Sequence, residues 1–190
     1  MKLCDKGSKR VPQTSNAIAK KRNIILIGFM GSGKSSVAKK LSTISNKNML
    51  DTDTMIVNSS GKSIESLFAV SESHFRSWEY TICNQLIEQD DLIIATGGGI
   101  ILTEDNRRLL SKLGFVVYLK ASVETIYKRT KRSTHRPLLN VPNKKEVINS
   151  TLSKRSKLYE QTADLSIEVD NLTIAQIADK INVAYENSRP

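Results

Sequence analysis

A chain of 190 residues with 39% apolar and 25% charged residues is long enough for one domain with a sizeable core. No apolar run approaches the length of a membrane span. Two cysteines, Cys4 and Cys83, make neither a disulfide framework nor a metal-ligand pattern, which suits a reducing compartment.

The net charge of +10 is uneven: residues 1–22 carry Lys2, Lys6, Lys9, Arg10, Lys20, Lys21 and Arg22 against Asp5 alone. This stretch reads as a poorly ordered basic leader. It lacks the apolar centre of a secretory signal; an organelle transit peptide stays open as an alternative, but the stretch is short and has no clear amphipathic period, so a cytoplasmic protein is expected. The rest of the chain carries only +4 of the +10. That balance suits an enzyme for anionic substrates better than a nucleic-acid binder. Neither a nucleic acid nor a membrane is expected as partner.

The first structured element is the apolar run Ile24-Ile25-Leu26-Ile27, a buried parallel strand. Gly28-Phe29-Met30-Gly31-Ser32-Gly33-Lys34-Ser35 follows and fits G-x-x-x-x-G-K-[ST], the P-loop. Val37, Ala38, Leu41 and Ile44 then recur at helical spacing, predicting a helix over 34–45. Glycines let the loop backbone present N–H groups to phosphate oxygens, and the loop opens a helix whose N-terminus favours an anion. Lys34 is placed to reach terminal phosphates, and the Ser35 hydroxyl to ligate magnesium. These residues predict NTP binding without fixing the reaction.

Asn48-Met49-Leu50 predicts a short strand ending in Asp51-Thr52-Asp53. Acids at such a strand end are placed for metal or substrate, and either can also cap the next helix. Gly61 breaks the chain, and Ser63 caps a short helix with Ile64, Leu67 and Phe68 on one face. A longer helix runs from Ser71 to Gln89. In it Arg76 and Glu79 read as an i,i+3 surface pair. Trp78 and Tyr80 read as packed, His74 as structural and Cys83 as core filling. Leu92-Ile93-Ile94-Ala95 is another buried strand, closed by Thr96-Gly97-Gly98-Gly99. Three consecutive glycines weaken a strand end and suggest that something approaches the backbone closely. Thr103 caps a helix with Leu109, Leu110 and Leu113 inward, Phe115–Leu119 is a fourth strand, and Ser122 opens a helix through Arg129. The cation-rich stretch 128–137 reads as a basic lid loop. A helix over 144–162, a strand over 164–169 and a last helix opened by a Thr173/Gln176 capping box complete the chain, with Ile174, Ile177, Ala178 and Ile181 as the buried stripe. Strands alternating with helices predict an α/β fold with a parallel sheet covered on both faces.

Taken together, Gly28–Ser35, Asp51-Thr52-Asp53, Phe75-Arg76 with Glu79, Ala95–Gly99, Arg136-Pro137-Leu138-Leu139 and Arg155 with Leu158-Tyr159 resemble the shikimate kinases. The resemblance spans residues 24–182. It implies a five-stranded parallel sheet flanked by helices, with a substrate-binding segment over about 52–79 and a lid over about 130–140. It implies transfer of the γ-phosphoryl of ATP to the 3-hydroxyl of shikimate, with Mg2+ as cofactor and ATP and shikimate as the small-molecule partners. The roles it implies are these. Asp53 contacts the reacting hydroxyl as base, and Asp51 with Ser35 serves the metal. Gly31, Ser32, Gly33, Lys34, Ser35 and Ser36 hold the phosphates. Arg129 stacks on adenine, and Arg136 is the lid arginine acting on the transferred group. Arg76 and Arg155 clamp the substrate carboxylate, and Gly97, Gly98 and Gly99 line the substrate pocket.

Elementary chemistry agrees. A carboxylate is best gripped by guanidinium groups, and a hydroxyl nucleophile needs an acceptor. Gluconate is also a hydroxylated carboxylate, so the arginines alone leave a gluconate kinase open. A kinase-like binding protein that has lost catalysis is a third reading, but Lys34, Asp53 and both arginines are present. The chain departs from the family in Ser71-Glu72, where Gly-Glu is common, in the polar stretch 45–50, and in Asp170-Asn171, which lacks a proline. No dimer signal is visible, and a monomer is expected.

Overall fold

The computed structural model describes residues 23–131 and 141–188. The expected leader, 1–22, and most of the expected lid, including Arg136, lie outside the described residues.

Five strands form one sheet: β1 (Asn23–Ile27), β2 (Asn48–Asp51), β3 (Leu92–Ala95), β4 (Gly114–Lys120) and β5 (Leu165–Glu168). Their order is β2-β3-β1-β4-β5, and every pairing is parallel. The α-helices are α1 (Lys34–Ser45), α2 (Thr52–Ser60), α3 (Ile64–Val70), α4 (Glu72–Gln85), α5 (Glu104–Leu113), α6 (Val123–Thr130), α7 (Lys144–Thr162) and α8 (Ile174–Asn187). The predicted α/β class and five-stranded parallel sheet are thus present.

Strand pleating sorts the core into two layers. Along β1, Ile24 and Leu26 pack with Val37, Leu41, Ile181 and Tyr185 on one face. Ile25 and Ile27 pack with Ile56, Ile82 and Leu110 on the other. Central β1 is buried at every residue, as a strand covered on both faces must be. β2 is one of the two edge strands, which explains how the polar stretch 45–50 is tolerated: Asn48 is exposed while Leu50 still pairs with Ile94.

Caps set the helix boundaries. Ser71, standing where a glycine is common, N-caps α4 by accepting from the His74 amide. The Thr173/Gln176 capping box forms as read. Gly61 closes α2 in the left-handed region at φ 65°. Several expectations are corrected. Helix α4 stops at Gln85 rather than running to Gln89, because turns take over at Leu86. Thr103 occupies the cap position of α5 without a side-chain capping bond. Ile44, Ile174 and Tyr80 are exposed, at 39%, 47% and 44% of their surface, so they belong to neither core layer.

Candidate active site

A cleft of about 750 Å³ opens at the carboxyl ends of β1, β2 and β3. Ligands bind there in open α/β sheets. It brings together Gly31, Gly33, Lys34, Ser35, Ser36, Asp51, Asp53, Arg76, Gly97, Gly98, Gly99, Arg129 and Arg155. Ser32 is buried in the loop beneath, its Oγ without a partner among the described residues. Among the candidate residues only Arg136 lies outside the description.

The donor side is the P-loop. Gly28 and Gly33 take φ of 146° and 102°, which a side chain would disfavour. Gly33 caps α1 without any side-chain bond, and the first turn of α1 carries no acid. The dipole end of that helix therefore faces the cleft uncompensated. Lys34 is buried, with its Nζ donating to the Gly28 carbonyl at 2.7 Å and the Phe29 carbonyl at 3.1 Å. Arg129, from α6, donates to the Gly31 and Ser32 carbonyls at 3.3 and 3.0 Å.

Asp51 and Asp53 sit in different surroundings. Asp51 Oδ1 caps α2 through the Asp53 and Thr54 amides at 3.1 and 3.2 Å. That fixes its orientation and leaves Oδ2 3.3 Å from the Ser35 hydroxyl. This pair of hard oxygen donors beside the phosphate loop fits magnesium carried in with a nucleotide. Among the described residues no cluster of three or more His, Cys, Asp or Glu could hold a metal without such help. Asp53, one residue into the helix, lies against Gly97: a Cβ there would stand 2.6 Å from its Oδ1.

The side of the cleft facing the P-loop joins α3, α4, α7 and the glycine turn. Arg76 Nη1 donates to Glu79 Oε2 at 2.8 Å and Nη2 to Glu72 Oε1 at 2.9 Å. Its guanidinium carbon lies 5.3 Å from the Phe75 ring centre, within cation–π range. The pair is not the surface pair expected from its spacing, since Glu79 is fully buried. Burial pushes its carboxyl up to about 7, against the pull of Arg76. Sequence reasoning missed this, although Phe75, Glu79, Ile82, Cys83 and Leu86 recur at helical spacing and place Glu79 on the buried face. Gly99 packs directly on Arg76, where a Cβ would stand 2.6 Å from both Nη atoms.

Two further residues stood in quoted motifs but were given no role from the sequence. Thr52, buried between the two aspartates, accepts from the Gly97 amide at 3.0 Å. The Tyr159 hydroxyl donates to the Gly98 carbonyl. Cys83 is a buried thiol pushed up to about 12 by its surroundings, in keeping with core filling and not with a nucleophile.

Comparison with known proteins follows this geometry. A family model described as shikimate kinase matches residues 30–186. A shikimate kinase of Actinobacillus pleuropneumoniae serotype 5b is 35% identical over 171 residues, covering 90% of this chain and 99% of that protein. One from Thermodesulfovibrio yellowstonii is 40% identical over 166 residues, covering 87% and 95%. The structure of the Acinetobacter baumannii shikimate kinase in complex with shikimate superposes with a TM-score of 0.83 at 35% identity, covering 90% of this chain and 97% of that one. A Sinorhizobium meliloti gluconokinase, at 16% identity, a TM-score of 0.55 and coverage of 87% and 91%, shares the fold alone. With the family model spanning most of the chain and relatives at this identity over nearly their full length, the chain belongs to the shikimate kinase family.

Proposed function

We propose that this chain is an ATP-dependent kinase that phosphorylates the 3-hydroxyl of shikimate, giving shikimate 3-phosphate and ADP. The observation that carries the reading is the shared cleft: Arg76, Arg155 and Asp53 line it together with the phosphate loop. A small carboxylate with hydroxyls can be held there by two guanidinium groups while one hydroxyl lies near a carboxylate and the nucleotide's terminal phosphate.

In this reading Arg76 and Arg155 grip the substrate carboxylate. The Gly97–Gly99 backbone walls the ring side of the pocket. Asp53 accepts the proton of the attacking hydroxyl. Gly31 to Ser36 hold the phosphates, and Lys34 exchanges its loop carbonyls for phosphate oxygens as the nucleotide enters. Ser35 and Asp51 would hold magnesium, which supplies charge neutralisation at the phosphates when bound. Arg129 serves the nucleotide side, and Arg136 is assigned to the transferred group by family resemblance. We take the enzyme to act as a cytoplasmic monomer of one kinase domain preceded by a basic leader. No helix among the described residues is long and apolar enough to cross a membrane.

The test is ADP release with ATP and magnesium, in the presence of shikimate or of gluconate. Stimulation by shikimate alone is the expected result. Stimulation by gluconate overturns the substrate assignment. Silence with both, alongside measurable ATP binding, overturns the kinase activity.

A further inference from the structure

The glycine turn after β3 is the wall between the two halves of the cleft, and it is held from three sides. Thr52 takes the Gly97 amide at 3.0 Å. Gly98 lies on the P-loop backbone, where a Cβ would stand 3.2 Å from the Met30 nitrogen and 3.5 Å from the Gly28 oxygen. The third hold comes from α7. Tyr159 is fully buried, its ring stacked on Tyr118 at 4.9 Å between centres and 12° between planes, and its hydroxyl donates to the Gly98 carbonyl. One helical turn earlier on α7, Arg155 lines the cleft. A single helix thus carries both a guanidinium for the acceptor and the donor that fixes the acceptor's backbone wall.

We infer that Tyr159 is a positioning residue: its hydroxyl locks the Gly98 peptide in place and so sets the acceptor subsite in register with Arg155 and with the phosphate loop. The inference rests on the acceptor reading proposed above. Burial raises the Tyr159 phenol far above its usual range, so it remains a hydrogen-bond donor at any working pH. The stacked ring is pinned by Tyr118, which leaves the hydroxyl little freedom to seek another acceptor. A hydroxyl that merely satisfied a buried carbonyl would affect stability and nothing else.

The first variant is Tyr159→Phe, which keeps the ring and its stacking and removes the hydroxyl, and with it both the bond to the Gly98 carbonyl and the contact with the Arg155 guanidinium. Steady-state ADP release is measured with shikimate varied at saturating ATP, and with ATP varied at saturating shikimate. The expected result is a fall of roughly tenfold in kcat/KM for shikimate, with the KM for ATP changed less than about twofold. A lowered melting temperature with both sets of constants unchanged overturns the inference, as does an equal loss toward both substrates. Wild-type protein run alongside separates the two readings, since absent shikimate-dependent turnover in wild type counts against the proposed function. Amide exchange over residues 96–100, compared between wild type and Tyr159→Phe without ligand, is the second measurement and does not depend on turnover, since the other bonds of the turn are the same in both proteins. Faster exchange in the variant supports a turn locked by the hydroxyl. Equal exchange in the two proteins overturns the inference.

Discussion

Arg129 donates to the Ser32 carbonyl at 3.0 Å, and so fastens α6 to the phosphate loop. The same guanidinium reaches Gly31 at 3.3 Å. Two loop carbonyls held by one cation keep the loop's amides turned the other way, toward the cleft. Arg129→Ala is expected to raise the KM for ATP about tenfold while leaving shikimate binding within about twofold, because the arginine touches only the donor side. Titration calorimetry with ATP and with shikimate separately checks this. An equal loss of both ligands would make the arginine a general strut.

Glu79 gives the protein a pH dependence with a definite sign. Its carboxyl is raised to about 7 from an ordinary 4.5, chiefly by burial and despite Arg76. The folded state therefore holds this proton more tightly than the unfolded chain. Its contribution to stability is fully present below about pH 4.5 and is lost as pH rises to about 7. Glu79→Gln removes the titration, so the stability difference between pH 5 and pH 8 should shrink by up to about 3 kcal/mol relative to wild type. Urea unfolding at the two pH values measures it. Identical pH profiles for the two proteins would mean the buried pair stays ionised throughout.

Asp53 lies against Gly97 and close to Glu79, yet on the first turn of α2, whose dipole favours a carboxylate. Asp53→Asn keeps the shape and removes the carboxylate proposed above as the proton acceptor. Turnover should fall at least about a hundredfold, with ATP affinity unchanged. Near-normal turnover would remove Asp53 from the chemistry.

A Cβ at Gly99 would sit 2.6 Å from both terminal nitrogens of Arg76, so the guanidinium must shift to admit a methyl group. Arg76 can move, but only by giving up Glu79 or Glu72. Gly99→Ala is expected to raise the KM for shikimate about tenfold or more and to leave the KM for ATP nearly unchanged. Kinetics with each substrate varied in turn decide the matter, and an unchanged shikimate KM would dissociate Gly99 from the arginine clamp.

The P-loop, the Asp-Thr-Asp pair and the triple glycine were legible because each is a local signal: a strand end, then residues whose chemistry is unusual for a turn. The same locality explains the helix over 34–45 and the Thr173 cap. What stayed hidden was made by distant segments meeting. Tyr159 and Gly98 are 61 residues apart, and nothing in either neighbourhood announces the other. Thr52 and Gly97 are 45 apart. Glu79 was misread for another reason: an i,i+3 ion pair is worth little on a surface, and only the apolar residues sharing its helix face reveal the burial. Ile174 and Ile44 erred the opposite way, as apolar residues at the fringe of a stripe that the neighbouring elements do not cover.

The P-loop hangs from β1 and the glycine turn from β3, and these strands pair directly, Leu26 opposite Ala95. The two strands that carry the phosphate loop and the glycine turn are therefore one strand spacing apart, about 4.8 Å, fixed by main-chain hydrogen bonds rather than by any side chain. Sequence drift in the flanking helices leaves that ruler unchanged. On the proposed reading the residues that grip the substrate, Arg76 on α4 and Arg155 on α7, lie outside that β1–β3 pairing, so substitutions there can alter what is gripped without moving the strand that carries the phosphate loop.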